Sequence, residues 1–270
     1  MGPERIAVSG GLARTVWLLV WACCPSLSSC ADDAPVELSE SSSVTIPVFN
    51  KQQVPSSSRS REAVTRAASS LIPQLENLGL SYGAPIFIRI FKEERELEVW
   101  LRQGKKYNLF RTYPIAAMSG QLGPKLLEGD RQAPEGFYYV SASRMNPNSR
   151  FHLSMNLGYP NHYDRVHGRT GSALMIHGGS ASIGCFAMTD PKIEEIYAMS
   201  DAALRNGQTF FRVHCFPFRM SEANMKKHAR SKWDSFWSNL KAGYDFFESS
   251  NLPPDVQVEG KKYVFGKATN

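Results

Sequence analysis

The sequence predicts a mainly β domain, a barrel or sandwich, with one short helix inside the β series and a helical C-terminal extension. Three observations lead there. Short apolar runs of strand composition recur between residues 85 and 216, punctuated by glycine and proline. One segment with helix start and stop signals, 190–207, interrupts them. A further stretch rich in Trp, Phe and Lys, 221–249, reads as helical.

The elements follow in order. Residues 1–30 read as an export signal: Arg5 and Arg14 supply positive charge, and Val16 to Ala22 form an apolar run too short for a comfortable membrane span. The run ends in Leu27-Ser28-Ser29-Cys30, small residues before a cysteine, which resembles a bacterial lipobox. Lipidation of Cys30 would anchor the chain to a membrane. The alternative is an ordinary cleavage site with no lipid. Either way the expected location is outside the cytoplasm, in the periplasm or cell envelope.

Residues 31–60 are rich in Ser and poor in large apolar side chains, as in a solvated tether. Residues 61–82 form a helical lead-in. Val64, Ala67, Ala68, Leu71, Leu75 and Leu78 fall near one helical face, Pro73 kinks or restarts the helix, and Gly79 stops it. Strands are expected at 85–91, 97–101, 107–113, 136–142, 150–157, 173–178 and 208–216. Asp190-Pro191 fits an N-cap followed by proline, Glu194 and Glu195 suit a first turn, and Asn206-Gly207 suits an end. The β domain therefore spans 83–216 and the helical extension 217–270, with Ser221 as a cap and KKYVF near the end as a returning strand.

The chain has 270 residues, 42% of them hydrophobic and 21% charged, enough to bury a sizeable core. A net charge of +6 favours an anionic neighbourhood. There is no zinc-finger spacing, no RNP-like motif and no long Lys/Arg run, which argues against nucleic acid. Of five cysteines, Cys23, Cys24 and Cys30 belong to the signal, leaving Cys185 and Cys215. In an oxidising compartment those two invite a disulfide. Alternation over 208–216 argues against it, because it puts Cys215 on a core face with Phe211 and Val213.

The informative segment runs from Met175 to Asp190. An apolar strand delivers His177, two glycines follow, and Cys185 comes eight residues after the histidine. An imidazole beside a thiol can take its proton and create a nucleophile. A Ser-Ile-Gly-Cys turn can aim backbone N–H groups at one point and hold an oxyanion. Gly184 removes bulk where a substrate would approach. Against this stand a satisfied polar histidine, a small buried cysteine and a metal site, though no tight ligand spacing supports the last.

This segment, with His177-Gly178 and Ser182-Ile183-Gly184-Cys185, resembles the active-site motif of the YkuD-like L,D-transpeptidases. The short gap and the sequence Cys-Phe-Ala-Met-Thr-Asp are similar to the YafK-type subgroup. GPKLLEGDRQAPEGFY (123–138), FHLSMNLGYPN (151–161) and Gly168 to Gly171 are similar too. The resemblance covers about Gly83 to Phe216. It implies an L,D-transpeptidase-like β fold, Cys185 as nucleophile, His177 as base and a backbone carbonyl that orients the imidazole. It also implies an oxyanion site at the backbone of Gly184 and Cys185. Ser182 and Gly178 have positioning roles, and for Ser182 the plainer role is to cap the turn.

The implied reaction is acyl transfer at a meso-diaminopimelate carbonyl of a peptidoglycan stem peptide, through a thioester, with no metal or organic cofactor. The implied partner is peptidoglycan, or a lipoprotein attached to it. One position departs from the broader family, which carries arginine two residues after the cysteine: here it is Ala187. That departure fits the YafK-type branch and makes hydrolysis, an amidase releasing protein from diaminopimelate, the alternative, while the resemblance keeps acyl transfer as the class. A non-catalytic wall-binding lipoprotein is the alternative of another class. His152, His162, His167, His214 and His228 lie outside the pair, although His152 shares a resembling stretch.

Overall fold

The structure, a computed structural model, describes residues 44–266. The export signal, Cys23, Cys24, Cys30 and the first part of the Ser-rich segment lie outside the described residues.

A five-stranded mixed sheet forms the centre. Its first strand, β1 (Ile86–Phe91), is buried at all six positions, as expected of a strand covered on both faces. It pairs antiparallel with β2 (Glu96–Gln103), which pairs antiparallel with β3 (Lys106–Pro114). On its other side β1 pairs in parallel with a strand from much later in the chain, β9 (Phe210–Phe216), with Ile88 opposite Val213. β4 (Gly136–Ser141) closes the edge, giving the order β3-β2-β1-β9-β4. A second sheet of four short strands carries the motif segment: β5 (Met145–Asn146), β6 (Ser154–Asn156), β7 (Met175–His177) and β8 (Phe186–Ala187).

Helices cover both faces of the central sheet. α1 (Ser58–Asn77) and α3 (Asp190–Arg205) bury Ala63, Leu71, Leu75, Ile193, Ile196 and Tyr197 in one core with Ile88, Ile90, Val213 and Cys215. Each large side chain removed from water there contributes about 1.5–3 kcal/mol. The opposite face holds Phe91, Phe137 and Phe216 against Trp237, Leu240 and Tyr244 of α5 (Asp234–Ser250). The alternation expected for 208–216 is present, with Phe211, Val213 and Cys215 all fully buried.

Several boundaries differ from expectation for identifiable reasons. Residues 51–60 are not a solvated tether. The Lys51 amide donates to the Arg205 carbonyl at 2.8 Å, Arg205 donates to the Val54 carbonyl at 2.8 Å, and Val54 is buried. Ser57 and Ser60 then form a capping box that starts α1 three residues early. Pro73 lies inside an uninterrupted α1. The stretch 221–249 is two helices, α4 (Glu222–His228), capped by Ser221, and α5. The C-terminal extension is also not wholly helical, since β10 (Asp255–Glu259) and β11 (Lys262–Gly266) form a hairpin that includes the KKYVF strand. A five-residue helix, α2 (His162–Val166), has no sequence prediction, although Asn161 and Asp164 form its capping box.

One buried polar cluster fixes the segment that will flank the motif. Lys92 Nζ bonds Glu135 at 2.9 Å and the carbonyls of Gly123 and Ala133 at 2.7 and 3.0 Å. Glu135 also accepts from the Gly123 amide at 2.7 Å and from Trp237 Nε1 at 2.8 Å. Both charges are fully paired, the condition under which a buried ion pair is tolerated. The cluster ties residues 123–135 to the C-terminal extension.

Candidate active site

β7 and β8 run parallel, with Ile176 opposite Phe186 and His177 opposite Ala187. Continuing the register one residue back sets Cys185 beside Met175. Side chains alternate along a strand, so positions 185 and 187 share a face, and His177 shares it with Ala187. The pairing therefore brings Cys185, the residue just before β8, alongside the strand that ends in His177. Parallel strands ordinarily need a connection of a dozen or more residues. Here residues 178–185 make the return, with Gly179 at φ +71° and Gly184 at φ +121°. Those backbone angles suit glycine.

The histidine is held by its own neighbourhood. Nδ1 lies 2.6 Å from the Gly178 carbonyl. A carbonyl only accepts, so Nδ1 carries the proton, and Nε2 is left as the basic nitrogen. The Phe151 ring lies against the imidazole at 4.6 Å between centroids. Gly178 itself is pinned, since its amide donates to the carbonyls of Phe151 and Leu153, each at 3.1 Å. A Cβ at 178 would come within 2.5 Å of Asp190 Oδ1 and 2.8 Å of the Phe151 carbonyl, so no larger residue fits. Of the positioning residues expected from the sequence, Gly178 thus acts through its carbonyl, and its amide is already committed.

The cysteine turn is tied from both ends. Ser182 Oγ donates to the Cys185 carbonyl at 2.7 Å, closing the turn. The Gly179 amide donates to Asp190 Oδ1 at 2.7 Å. Asp190 is therefore not the N-cap of α3. Thr189 takes that place at φ +73° without a side-chain cap, because the aspartate is spent on the motif loop.

Both reactive groups are neutral at rest. Burial pushes the His177 imidazole below its ordinary range, against a smaller upward pull from the Gly178 carbonyl. Burial pushes the half-buried Cys185 thiol up, opposed by the Met175 amide and the Lys125 charge. The thiol leans on the Ala173 carbonyl at 3.6 Å. Cys185 and Cys215 are both free, so the disulfide alternative does not hold here. Cys215 is buried in the core on β9, away from the motif strands.

Lys125 escaped sequence reasoning. It sits in the quoted 123–138 stretch without any motif of its own, and its charge bears on the thiol. Leu127 O at 2.8 Å and Asp130 at 2.5 Å fix its ammonium. A recess of about 280 Å³ opens along 121–132, with Lys232 and Trp233 of the C-terminal extension in its wall. His152 is structural: its Nε2 meets Glu194 at 2.7 Å, where Arg66 also binds. His167 bonds the Lys261 carbonyl and His228 meets Glu93, both outside the motif.

Residues 85–213 match the family model described as YkuD, L,D-transpeptidase catalytic domain. The Escherichia coli K12 protein named "Putative L,D-transpeptidase YafK" is 48% identical over 185 residues, covering 68% of this chain and 75% of that one. The chain belongs to the L,D-transpeptidase family. The Escherichia coli O157:H7 protein of the same name matches equally. Among solved structures, the helical cell shape determining protein Pgp2 from Campylobacter jejuni gives a TM-score of 0.40 at 17% identity, over 69% of this chain and 79% of that one.

The departure at Ala187 from the broader family has a structural setting in this chain. Ala187 is fully buried, and its backbone exchanges bonds with Ala116 and Ala117 at 2.8–3.2 Å. An arginine side chain has no room there unless the 115–117 segment moves away.

Proposed function

We propose that the chain performs cysteine-dependent acyl transfer at a meso-diaminopimelate carbonyl of peptidoglycan stem peptides. The observation that carries this reading is the parallel pairing of β7 with β8, which brings the strand ending in His177 alongside the one that follows Cys185, with Nδ1 engaged by Gly178 and Nε2 left basic. As Cys185 Sγ attacks the carbonyl carbon, its proton passes to His177 Nε2. The oxygen gathers charge and is met by the backbone amides of Gly184 and Cys185. Collapse breaks the C–N bond, His177 returns the proton to the departing amine, and a thioester remains. A second amine acceptor then completes a transpeptidation, and water completes a hydrolysis. A neutral resting pair suits this order, since the proton moves with the attack instead of before it. Ser182 keeps the turn in shape.

The absence of arginine at position 187 keeps a second outcome open for the same thioester: hydrolysis that frees a lipoprotein from diaminopimelate. The site of action would be the cell envelope, reached through the export signal and held, if Cys30 is lipidated, at a membrane.

Sacculi carrying covalently attached lipoprotein, incubated with the mature protein and with Cys185→Ser, test both outcomes by mass spectrometry. New diaminopimelate cross-links or amine adducts that need the thiol support transpeptidation. Released lipoprotein and a free diaminopimelate carboxylate support hydrolysis. Neither product, with the protein still bound to the wall, sinks the enzyme and leaves a wall-binding module.

A further inference from the structure

The recess along 121–132 is formed by two separate parts of the chain. One wall is the 121–132 segment, inside the 85–213 match to the family, and the other is Lys232 and Trp233, outside it. The walls are fixed to each other. Gly123 has φ +123°, and a Cβ there would lie 2.3 Å from Trp233 Nε1, so the indole edge rests on bare glycine backbone. Glu135 links the same parts, accepting from the Gly123 amide and from Trp237, one turn further along α5.

The recess meets the cysteine turn at Gln132. The Gln132 side chain donates to the Gly123 carbonyl at 2.7 Å. Its main-chain carbonyl lies 3.4 Å from where a Cβ on Gly184 would stand. Gly184 directly precedes the nucleophile, so Gln132 is shared by the recess and the turn that carries Cys185.

The polar groups of the recess fall into two sets. Asp130 is committed: it meets Lys125 and accepts from the amides of Leu126, Leu127 and Gln132, so its charge is already balanced. Lys232 is exposed and has no ion-pair or hydrogen-bond partner among the described residues. Its ammonium stands 5.0 Å over the Trp233 ring, a contact that restricts where the long side chain can go. Trp233 Nε1 also bonds no protein atom among the described residues, and an indole N–H can only donate. Two neighbouring donors, one of them charged, thus lack an acceptor, and a carboxylate supplies two strong ones. Leu122, Pro124 and Leu126 make much of the remaining wall apolar. The volume, about 280 Å³, is below the roughly 300–1,000 Å³ of sites that enclose a drug-sized ligand, so it suits one residue of a peptide and not the whole.

We propose that Lys232 and Trp233 are specificity-determining residues, which hold a free carboxylate of the peptide whose carbonyl is presented to Cys185. The carboxylate follows from the recess itself. That the peptide is a peptidoglycan stem rests on the acyl-transfer reading above. The C-terminal extension selects the substrate, and the β domain performs the chemistry.

Calorimetric titration into the full chain carrying Cys185→Ala tests this, since binding is then read without turnover. The ligands are disaccharide tetrapeptides whose carboxyls, on isoglutamate, on the diaminopimelate side chain and on the terminal alanine, are free, amidated one at a time, or all amidated. Saturable binding of the free peptide is expected. Adding Lys232→Ala should weaken it about tenfold or more, or roughly 1.4 kcal/mol, and Lys232→Arg should restore most of it. Trp233→Phe keeps a ring and loses the N–H, and should weaken binding by a smaller factor. Amidating the one carboxyl that is held should weaken binding as much as Lys232→Ala does, and the variant should then have no further effect. Lys232→Ala should melt with the parent, because the side chain is exposed. No saturable binding into the millimolar range overturns the proposal. So does binding that Lys232→Ala leaves intact, or weakens equally for the fully amidated peptide. The expected binding pattern without thiol-dependent products from sacculi would remove the enzyme reading and leave the recess standing. Thiol-dependent products with binding indifferent to Lys232→Ala would do the reverse.

Discussion

Phe151 lies over the His177 imidazole, with ring centroids 4.6 Å apart and planes 33° from parallel. The contact restrains the one torsion that the Gly178 hydrogen bond leaves soft, the tilt of the ring toward the thiol. Phe151 is itself about half exposed, so it contributes little to the core. Phe151→Ala should lower kcat about tenfold, in line with the roughly 0.5–1.5 kcal/mol of such ring contacts. Its melting temperature should stay near that of the parent. Equal kcat in the variant would show that the carbonyl alone orients the ring.

His177→Ala should cost on the order of 10²–10⁴ in rate, the usual range for a general base. The pH profile carries a sharper signature. Only the neutral imidazole can accept the thiol proton, and burial lowers its pKa. Activity should therefore persist below the pH at which an ordinary histidine protonates, and fall as pH drops through the depressed value. A kcat/KM profile with its acid limb above the ordinary imidazole value would contradict this arrangement. Because the thiol pKa is raised, the rate of Cys185 alkylation by iodoacetamide should still be climbing as pH passes the ordinary cysteine value, levelling off only above it.

Gly178→Ala drives a methyl group into Asp190 and the Phe151 carbonyl, at 2.5 and 2.8 Å. One of those atoms is backbone and cannot swing aside. A loss of about 1–3 kcal/mol is expected, as for other overpacked sites. Denaturant unfolding measures it directly.

Glu135→Ala leaves the Lys92 ammonium buried without its counter-charge and frees the Trp237 indole N–H. Breaking a buried pair on one side typically costs about 3–5 kcal/mol. Because the same carboxylate ties residues 123–135 to α5, the variant should also loosen Lys125. Faster proteolysis within 123–135 would report it, and an unchanged digest would sever the proposed tie.

Much of the site was legible because glycine, histidine and cysteine each leave a local mark. His177 at a strand end and Cys185 in a glycine turn follow from composition and punctuation. The approach of their two segments does not, since it depends on a two-residue parallel pairing, β7 with β8, too short to show periodicity. Asp190 carried a correct signal for where α3 begins and a wrong one for its own role. Local capping rules do not know that the Gly179 amide is nearby. Ser57 and Ser60 misled in the other direction, because a capping box made of serines looks like linker. Lys125 had no pattern to reveal it, and only the fold pairs its ammonium with Asp130 and the Leu127 carbonyl.

The parallel pairing of β1 with β9 joins Ile88 to Val213 across more than a hundred residues of chain. Such distant pairings form slowly, and this one cannot begin until its second strand exists as free chain. Everything that carries His177 and Cys185 lies between the two strands. A nascent chain therefore holds both residues without the complete central sheet beneath them. The environment around the thiol is therefore completed late, once nearly four-fifths of the polypeptide has been made.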